Sequence, residues 1–237
     1  MKSYNLLLTI CILFALASCD KLIYEQGNGE MVMESYKIDH FNEIYLKGNF
    51  EVFLRKGDDS ELAIKIDENL KQYIEVYNRG EELNISTTRG IHSDEGVKVF
   101  ITYETLKRLS SGGACSIFTE NPIRTEKLKL SLSGVGIMEM ELETSDLEIR
   151  LSGAGMINIE GETDYLDLEM SGAGSFEGED LLVRNATVSI SGIGGAQVNV
   201  TGELIAKVSG IGGIEYSGNP QKVDRKVSGI GKIREVD

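Results

Sequence analysis

Glu148 and Asp167 are the two carboxylates whose spacing could do chemistry. They stand 19 residues apart, close to the period at which this chain repeats itself. If successive repeats stack, both acids fall at one position on adjacent coils. A carboxylate pair is the machinery of glycoside hydrolysis, which needs about 5 to 9.5 Å between the two groups. Stacked strands lie about 4.8 Å apart, slightly too close, and no cleft is marked around the pair. The same register sets Arg150 against Glu169 as a cross-strand salt bridge of modest worth. The chain has 2 histidines, His40 and His92. Neither lies in a His-x-x-His or Cys-x-x-Cys spacing, so both read as surface residues. Asp58-Asp59, Asp94-Glu95 and Glu179-Asp180 each abut a glycine or a loop, where solvated acids belong. A calcium-binding solenoid repeat reads Gly-Gly-x-Gly-x-Asp. Here the position after the glycines holds Ile137, Met156, Ser175, Gly195, Gly213 and Lys232. Gly-x-Gly without its third glycine, and followed by strand, is not a dinucleotide loop. No catalytic residue, metal site or cofactor is expected.

The element that must position these groups is a repeat. Ser-Gly-x-Gly begins at Ser133, Ser152, Ser171, Ser191, Ser209 and Ser228, with a weaker copy at Ser111. The seven serines are 22, 19, 19, 20, 18 and 19 residues apart. A fixed period near twenty marks a solenoid. Around each motif, apolar residues alternate with polar ones: Leu147, Ile149 and Leu151 before Ser152, then Ile157 and Ile159 after it. Period 2 is a strand with one buried face, and no segment carries the 3.6 period that a leucine-rich repeat requires. Two strands and two turns use about twenty residues, which is one coil of a parallel β-helix. The motifs hold fourteen of the 27 glycines. Glycine in ordered strand costs roughly 0.5–1 kcal/mol against alanine, so geometry must require many of them. The expected requirement is a bend with no room for a Cβ against the adjacent coil. The six serines then stack as a hydroxyl ladder roughly 24 Å long, and they are the candidate binding face. The residue between the glycines (Val135, Ala154, Ala173, Ile193, Ile211 or Ile230) is expected to turn inward, because a bend resets the parity of the strand.

The two ends bound the setting. A short basic start at Lys2 and an apolar run from residue 6 to 17 precede Leu16-Ala17-Ser18-Cys19. The run is too short for a spanning helix, which needs about 20 residues, and has the order of a secretory signal peptide. Its cysteine resembles that of a lipobox, which implies lipid attachment at Cys19 after removal of residues 1–18. Residues 19–30 are polar and read as a tether. Residues 31–110 keep short alternating runs without the motif and read as an irregular β-rich part that starts and caps the solenoid of residues 111–237. Residues 221–237 carry eight charges among seventeen positions, which suits a cap at the other end. Cys115 has no partner for a structural disulfide and reads as a small core residue. The formal charge is −14, and residues 139–180 hold thirteen acids against one base, Arg150. Such a field repels nucleic acid and anionic surfaces. The membrane is therefore a partner only through the N-terminal lipid.

The layout resembles bacterial lipoproteins described as autotransporter adhesins with a head GIN domain. The resemblance rests on Phe41-Asn42-Glu43-Ile44, Lys47-Gly48-Asn49-Phe50-Glu51-Val52, Asp67-Glu68-Asn69-Leu70 and Val97-Lys98-Val99-Phe100-Ile101-Thr102, followed by the Ser-Gly-x-Gly series. It implies an all-β, right-handed parallel β-helix similar to the pectin-lyase architecture, and a role in cell adhesion; it brings no catalytic residues. The expectation is a non-enzymatic, lipid-anchored protein of the cell envelope at the outer membrane, binding a glycan or an envelope protein. Two alternatives remain open: a polysaccharide-active enzyme of the same fold, and a structural or assembly subunit of the envelope.

Overall fold

A computed structural model describes residues 24–236; the signal segment and Cys19 lie outside the described residues. The chain is a parallel β-helix. The strands Val135–Leu151, Ala154–Met170 and Ala173–Ile190 each make most of one coil. Each is hydrogen-bonded in parallel to the next, with Val135 opposite Ala154 and Ala154 opposite Ala173. The later coils are split in two: Ile193–Val200 with Glu203–Val208, Ile211–Ser217 with Lys222–Val227, then Ile230–Glu235.

Alternation explains the core. Met138, Met140 and Leu142 are buried, then Leu147, Ile149 and Leu151. Parity shifts between Leu142 and Leu147, so one corner is turned there. At the Ser-Gly corner it does not shift: Leu151, Gly153, Gly155 and Ile157 share one parity, and Ser152 and Ala154 share the other. The residue between the glycines therefore points outward, against expectation. Val135 is 60 % exposed, Ile193 60 %, Ile211 51 % and Ile230 74 %. The bend does not reset the pleat, because the glycines themselves absorb the turn.

Their absence of a side chain is what the corner uses. The Gly134 carbonyl accepts the N–H of Ala154 at 2.9 Å, and the Gly153 carbonyl accepts that of Ala173 at 2.9 Å. A Cβ on Gly153 or Gly172 would meet that same carbonyl oxygen, far inside the 3.0 Å that real Cβ atoms keep. The expected close approach to the adjacent coil is thus confirmed. The copy at Ser111 is out of register by one residue. Ala114 pairs with Val135 and Cys115 with Gly136, so the equivalent of Ser133 is Gly112. Ser111 instead takes a buried position opposite Leu132 and Leu46.

The ends are closed differently. Below the coil of Glu43–Lys47 and Asn49–Lys56 lies one built from Glu82–Thr87 and Lys98–Tyr103. Glu61–Asp67 runs antiparallel to Lys98–Tyr103 and to Met31–Tyr36, while Ile74–Arg79 runs antiparallel to Glu82–Thr87. These antiparallel strands cover the N-terminal pole. A 3-10 helix at Lys71–Tyr73 joins Glu61–Asp67 to Ile74–Arg79. The segment read as a tether grips the body from Glu25 onwards. Glu25–Gln26 pairs with Ile91–His92, and the Gly29 N–H donates to Asp67 Oδ1 at 2.7 Å.

At the C-terminal pole, Arg225 stands in register with buried Ala206, and Glu235 with buried Tyr216. Both charged residues occupy columns that are core elsewhere. The Arg225 guanidinium lies 5.0 Å from the Tyr216 ring centre and donates to its hydroxyl, which lies 3.5 Å from Glu235 Oε2. Inward-pointing charge ends the apolar column and discourages edge-to-edge pairing.

Gly172→Val should destabilise the solenoid by more than about 4 kcal/mol, since its Cβ collides with fixed backbone. Gly195→Ala is the control. Its Cβ meets only the Gly213 carbonyl oxygen, at 3.6 Å, and it should stay within about 1 kcal/mol of the parent. Urea titration followed by circular dichroism measures both; equal stability of the two variants would contradict the corner geometry.

Candidate interaction face

The ladder serines Ser133, Ser152, Ser171, Ser191, Ser209 and Ser228 are all exposed. Beside them runs the column Val135, Ala154, Ala173, Ile193, Ile211, Ile230, held in register by successive parallel pairs. The backbone at each corner satisfies itself without the serine side chains, although the Ser133 hydroxyl also donates to the Ser111 carbonyl at 3.1 Å. The Leu132 carbonyl accepts N–H groups from both Ser152 and Gly153, each at 3.0 Å, and Leu151 does the same for Ser171 and Gly172. Alternation keeps the apolar residues on the same outer side. The result is a ridge, one apolar residue wide, bordered by serines. Sequence reasoning placed the serines and weighed the apolar stripe, but assigned that stripe to the core.

The carboxylates read first in the sequence are brought together around a shared guanidinium. Glu148 and Asp167 are in register on adjacent coils. Arg150 reaches both: its Nη2 is 3.5 Å from Glu148 Oε1 and 3.0 Å from Asp167 Oδ2. Its Nε lies 3.2 Å from Glu169 Oε2, the pair that register predicts. One guanidinium thus ties three carboxylates of two adjacent coils together. Similar ladders join Lys127 to Asp146 at 2.8 Å, Lys129 to Glu148 at 2.7 Å and Arg124 to Glu143 at 2.7 Å. The hydrogen bond from Arg124 holds the Glu143 carboxyl below the usual range. Much of the acidic band is therefore tied between coils, in pairs of modest energy.

The same cluster borders an open groove of about 900 Å³, whose lining includes Glu148, Asp167 and Glu169. Tyr165 is its exposed aromatic, with Asp167, Asn185, Thr187, Lys129 and Lys207 around it. The histidines lie apart from it: His40 Nδ1 is 3.1 Å from Glu104 and His92 Nε2 is 3.3 Å from Asp94, both at the surface. No group of three or more His, Cys, Asp or Glu able to hold a metal ion occurs among the described residues. Cys115 is buried, as expected, with its Sγ 3.8 Å from the Gly48 carbonyl. Burial pushes its thiol pKa up, and hydrogen bonds only partly offset this.

The fold and face together define a solenoid with one repeated outer surface. The chain belongs to the family described as putative auto-transporter adhesin, head GIN domain, whose model matches residues 40–220. A search of curated proteins found no match. Among solved structures, the chain is similar to a putative adhesin from Bacteroides fragilis NCTC 9343, with 25% identity and a TM-score of 0.86 over 89% of this chain and 99% of the other. It is similar to a putative adhesin from Parabacteroides merdae ATCC 43184, with 25% identity and a TM-score of 0.71 over 90% and 99%. A putative lipid binding protein from Parabacteroides distasonis ATCC 8503 shares the fold at 22% identity, with a TM-score of 0.70 over 91% and 100%. The family and the two adhesins support a role in adhesion at the cell envelope. No helix among the described residues is long and apolar enough to cross a membrane.

A protonated, buried thiol is a poor nucleophile. Cys115 should resist iodoacetamide at pH 8 in the native chain and react within minutes in denaturant. Mass spectrometry of the alkylated peptide measures this, and fast native labelling would contradict the assignment to the core.

Proposed function

We propose that the chain is a non-enzymatic adhesion module of the cell envelope, held to the outer membrane by a lipid on Cys19. A long side of the solenoid makes the contact. The observation that carries this reading is the ridge: four exposed β-branched residues in one column, beside a ladder of serines. Exposed apolar side chains in a continuous line mark interaction surfaces, whereas scattered ones do not. Arg150, set between Glu148 and Asp167, supports the non-enzymatic part. The apolar run before Cys19 supports the anchor, and docking of Glu25–Gln26 at the N-terminal pole then turns the opposite pole away from the membrane.

A glycan ligand is a second reading, favoured by the groove at Tyr165. An exposed ring among carboxylates, amides and hydroxyls suits a sugar, which offers an apolar face and hydroxyls together.

Deletion of the protein should reduce surface adherence and biofilm; no change in either would remove the adhesion reading. Globomycin, which blocks lipoprotein maturation, should leave the signal segment attached, and a chain processed normally would remove the lipid anchor. A glycan array probed with residues 20–237, with calcium and with chelator, tests the second reading. Binding lost in Tyr165→Ala supports it, and an array with no binding removes it.

A further inference from the structure

The ridge is not uniform along its length. Its N-terminal half is small, with Ala154 and Ala173 above Val135, and its C-terminal half is Ile193, Ile211 and Ile230. A parallel pairing of two such ridges would set isoleucine on isoleucine and alanine on alanine. An antiparallel pairing sets Ile193 on Ala173 and Ile211 on Ala154, large on small, with Ile230 on Val135 at each end. Packed apolar contacts favour that arrangement, because crowding and voids both cost energy.

Charge selects the same direction. Two outward columns border the ridge on the side away from the serines. One runs from Ile137 to Lys232 and the next from Glu139 to Arg234. The first is uncharged until Lys232, and the second carries Glu139, Glu177 and Glu215 before Arg234, so both bases lie in the last coil and Glu139 stands at the opposite end. Arg234 is already engaged with Glu215. Neither Lys232 nor Glu139 has an ion-pair partner among the described residues. A twofold axis that reverses the ridge keeps these columns on the same side of the interface. Lys232 of each copy then comes beside Glu139 of the other, twice per pair.

We infer that the occupant of the ridge is a second copy of this chain, packed antiparallel along it. The inference rests on the adhesion reading and names its partner. The antiparallel arrangement has a geometric consequence. Glu25–Gln26 lies at the pole remote from Ile230, so the two N-termini emerge at opposite ends of the pair. Chains anchored through Cys19 on facing surfaces are then joined across the gap between them. A ridge one residue wide is small beside the roughly 1,200–2,000 Å² of a stable complex. A single pair is therefore weak, and many anchored copies acting together supply the strength.

The test couples the chain from residue 19 to 237 through Cys19 to maleimide-lipid vesicles, in two differently dyed populations, and follows turbidity and dye co-localisation. Vesicles carrying the unaltered chain should clump. Ile193→Asp with Ile211→Asp should abolish clumping while circular dichroism shows an unchanged melt. Lys232→Glu alone and Glu139→Lys alone should each slow clumping several-fold. A mixture of the two should restore it, with pairs forming only between dyes, because each contact then joins opposite charges again. Dispersed parent vesicles, clumping indifferent to the ridge variant, or a mixture no better than either charge variant would each overturn the inference. If parent vesicles stay dispersed yet still adhere to bacterial cells, self-recognition fails and the adhesion reading stands. If the parent vesicles neither clump nor adhere, both fail.

Discussion

The structure depends on one hydrogen bond made repeatedly. The first glycine of each Ser-Gly corner turns its carbonyl along the solenoid axis and accepts the N–H of the residue after the next glycine up. The Gly134, Gly153, Gly172, Gly192 and Gly210 carbonyls do so at 2.9 Å each. The oxygen lies where a Cβ on the adjacent glycine would have to be. Bond and side chain therefore compete for one space, and the bond is kept. Glycine's conformational cost is accepted at every coil because the alternative is a row of unpaired backbone groups. The column reaches back to Gly48, whose carbonyl accepts the Ala114 N–H at 2.7 Å. The first-half segments are thus part of the same stack.

From this constraint the outer surface follows. Because glycines take both inward-parity positions of the corner, the pleat runs through it unbroken. The serine and the residue between the glycines must then face out together. Nothing inside selects the size of that residue, so Val, Ala and Ile all occur there. The core columns, by contrast, are almost wholly apolar until the last coil, where Arg225 and Glu235 close them over Tyr216. Stability and interaction are written on alternate residues of the same strand.

That division also explains what was legible in the sequence. Period 2, the twenty-residue repeat and the glycine count were enough for the parallel β-helix, for the steric reason behind the glycines and for the Arg150–Glu169 pair. These depend on register alone, and register is set locally by alternation. The outward turn of Ile193 and Ile211 was misread because a bend was assumed to break parity, whereas the glycines bend the chain without doing so. The Ser111 copy was misaligned by one because Gly112-Gly113 offers two serine-glycine registers, and only pairing with Gly48 and Val135 chooses between them. The Arg225–Tyr216–Glu235 plug was not visible, because a charged residue in a core column looks like any surface charge until the column's end is known. For the carboxylates, register alone put Glu148 beside Asp167; the guanidinium between them needed side-chain geometry.

A solenoid has two poles, and here they differ in a way that bears on function. The N-terminal pole is covered by antiparallel strands and holds the segment leading back to Cys19 through Glu25–Gln26 and the Asp67 contact to Gly29. The C-terminal pole is closed only by a thin polar plug. Strands over one pole and charge at the other both discourage end-to-end growth, which favours the repeated side for contact. Repetition along that side then matters more than any single residue. A column of modest contacts at fixed spacing binds through their sum, and adhesion between crowded surfaces depends on that kind of summed weak contact.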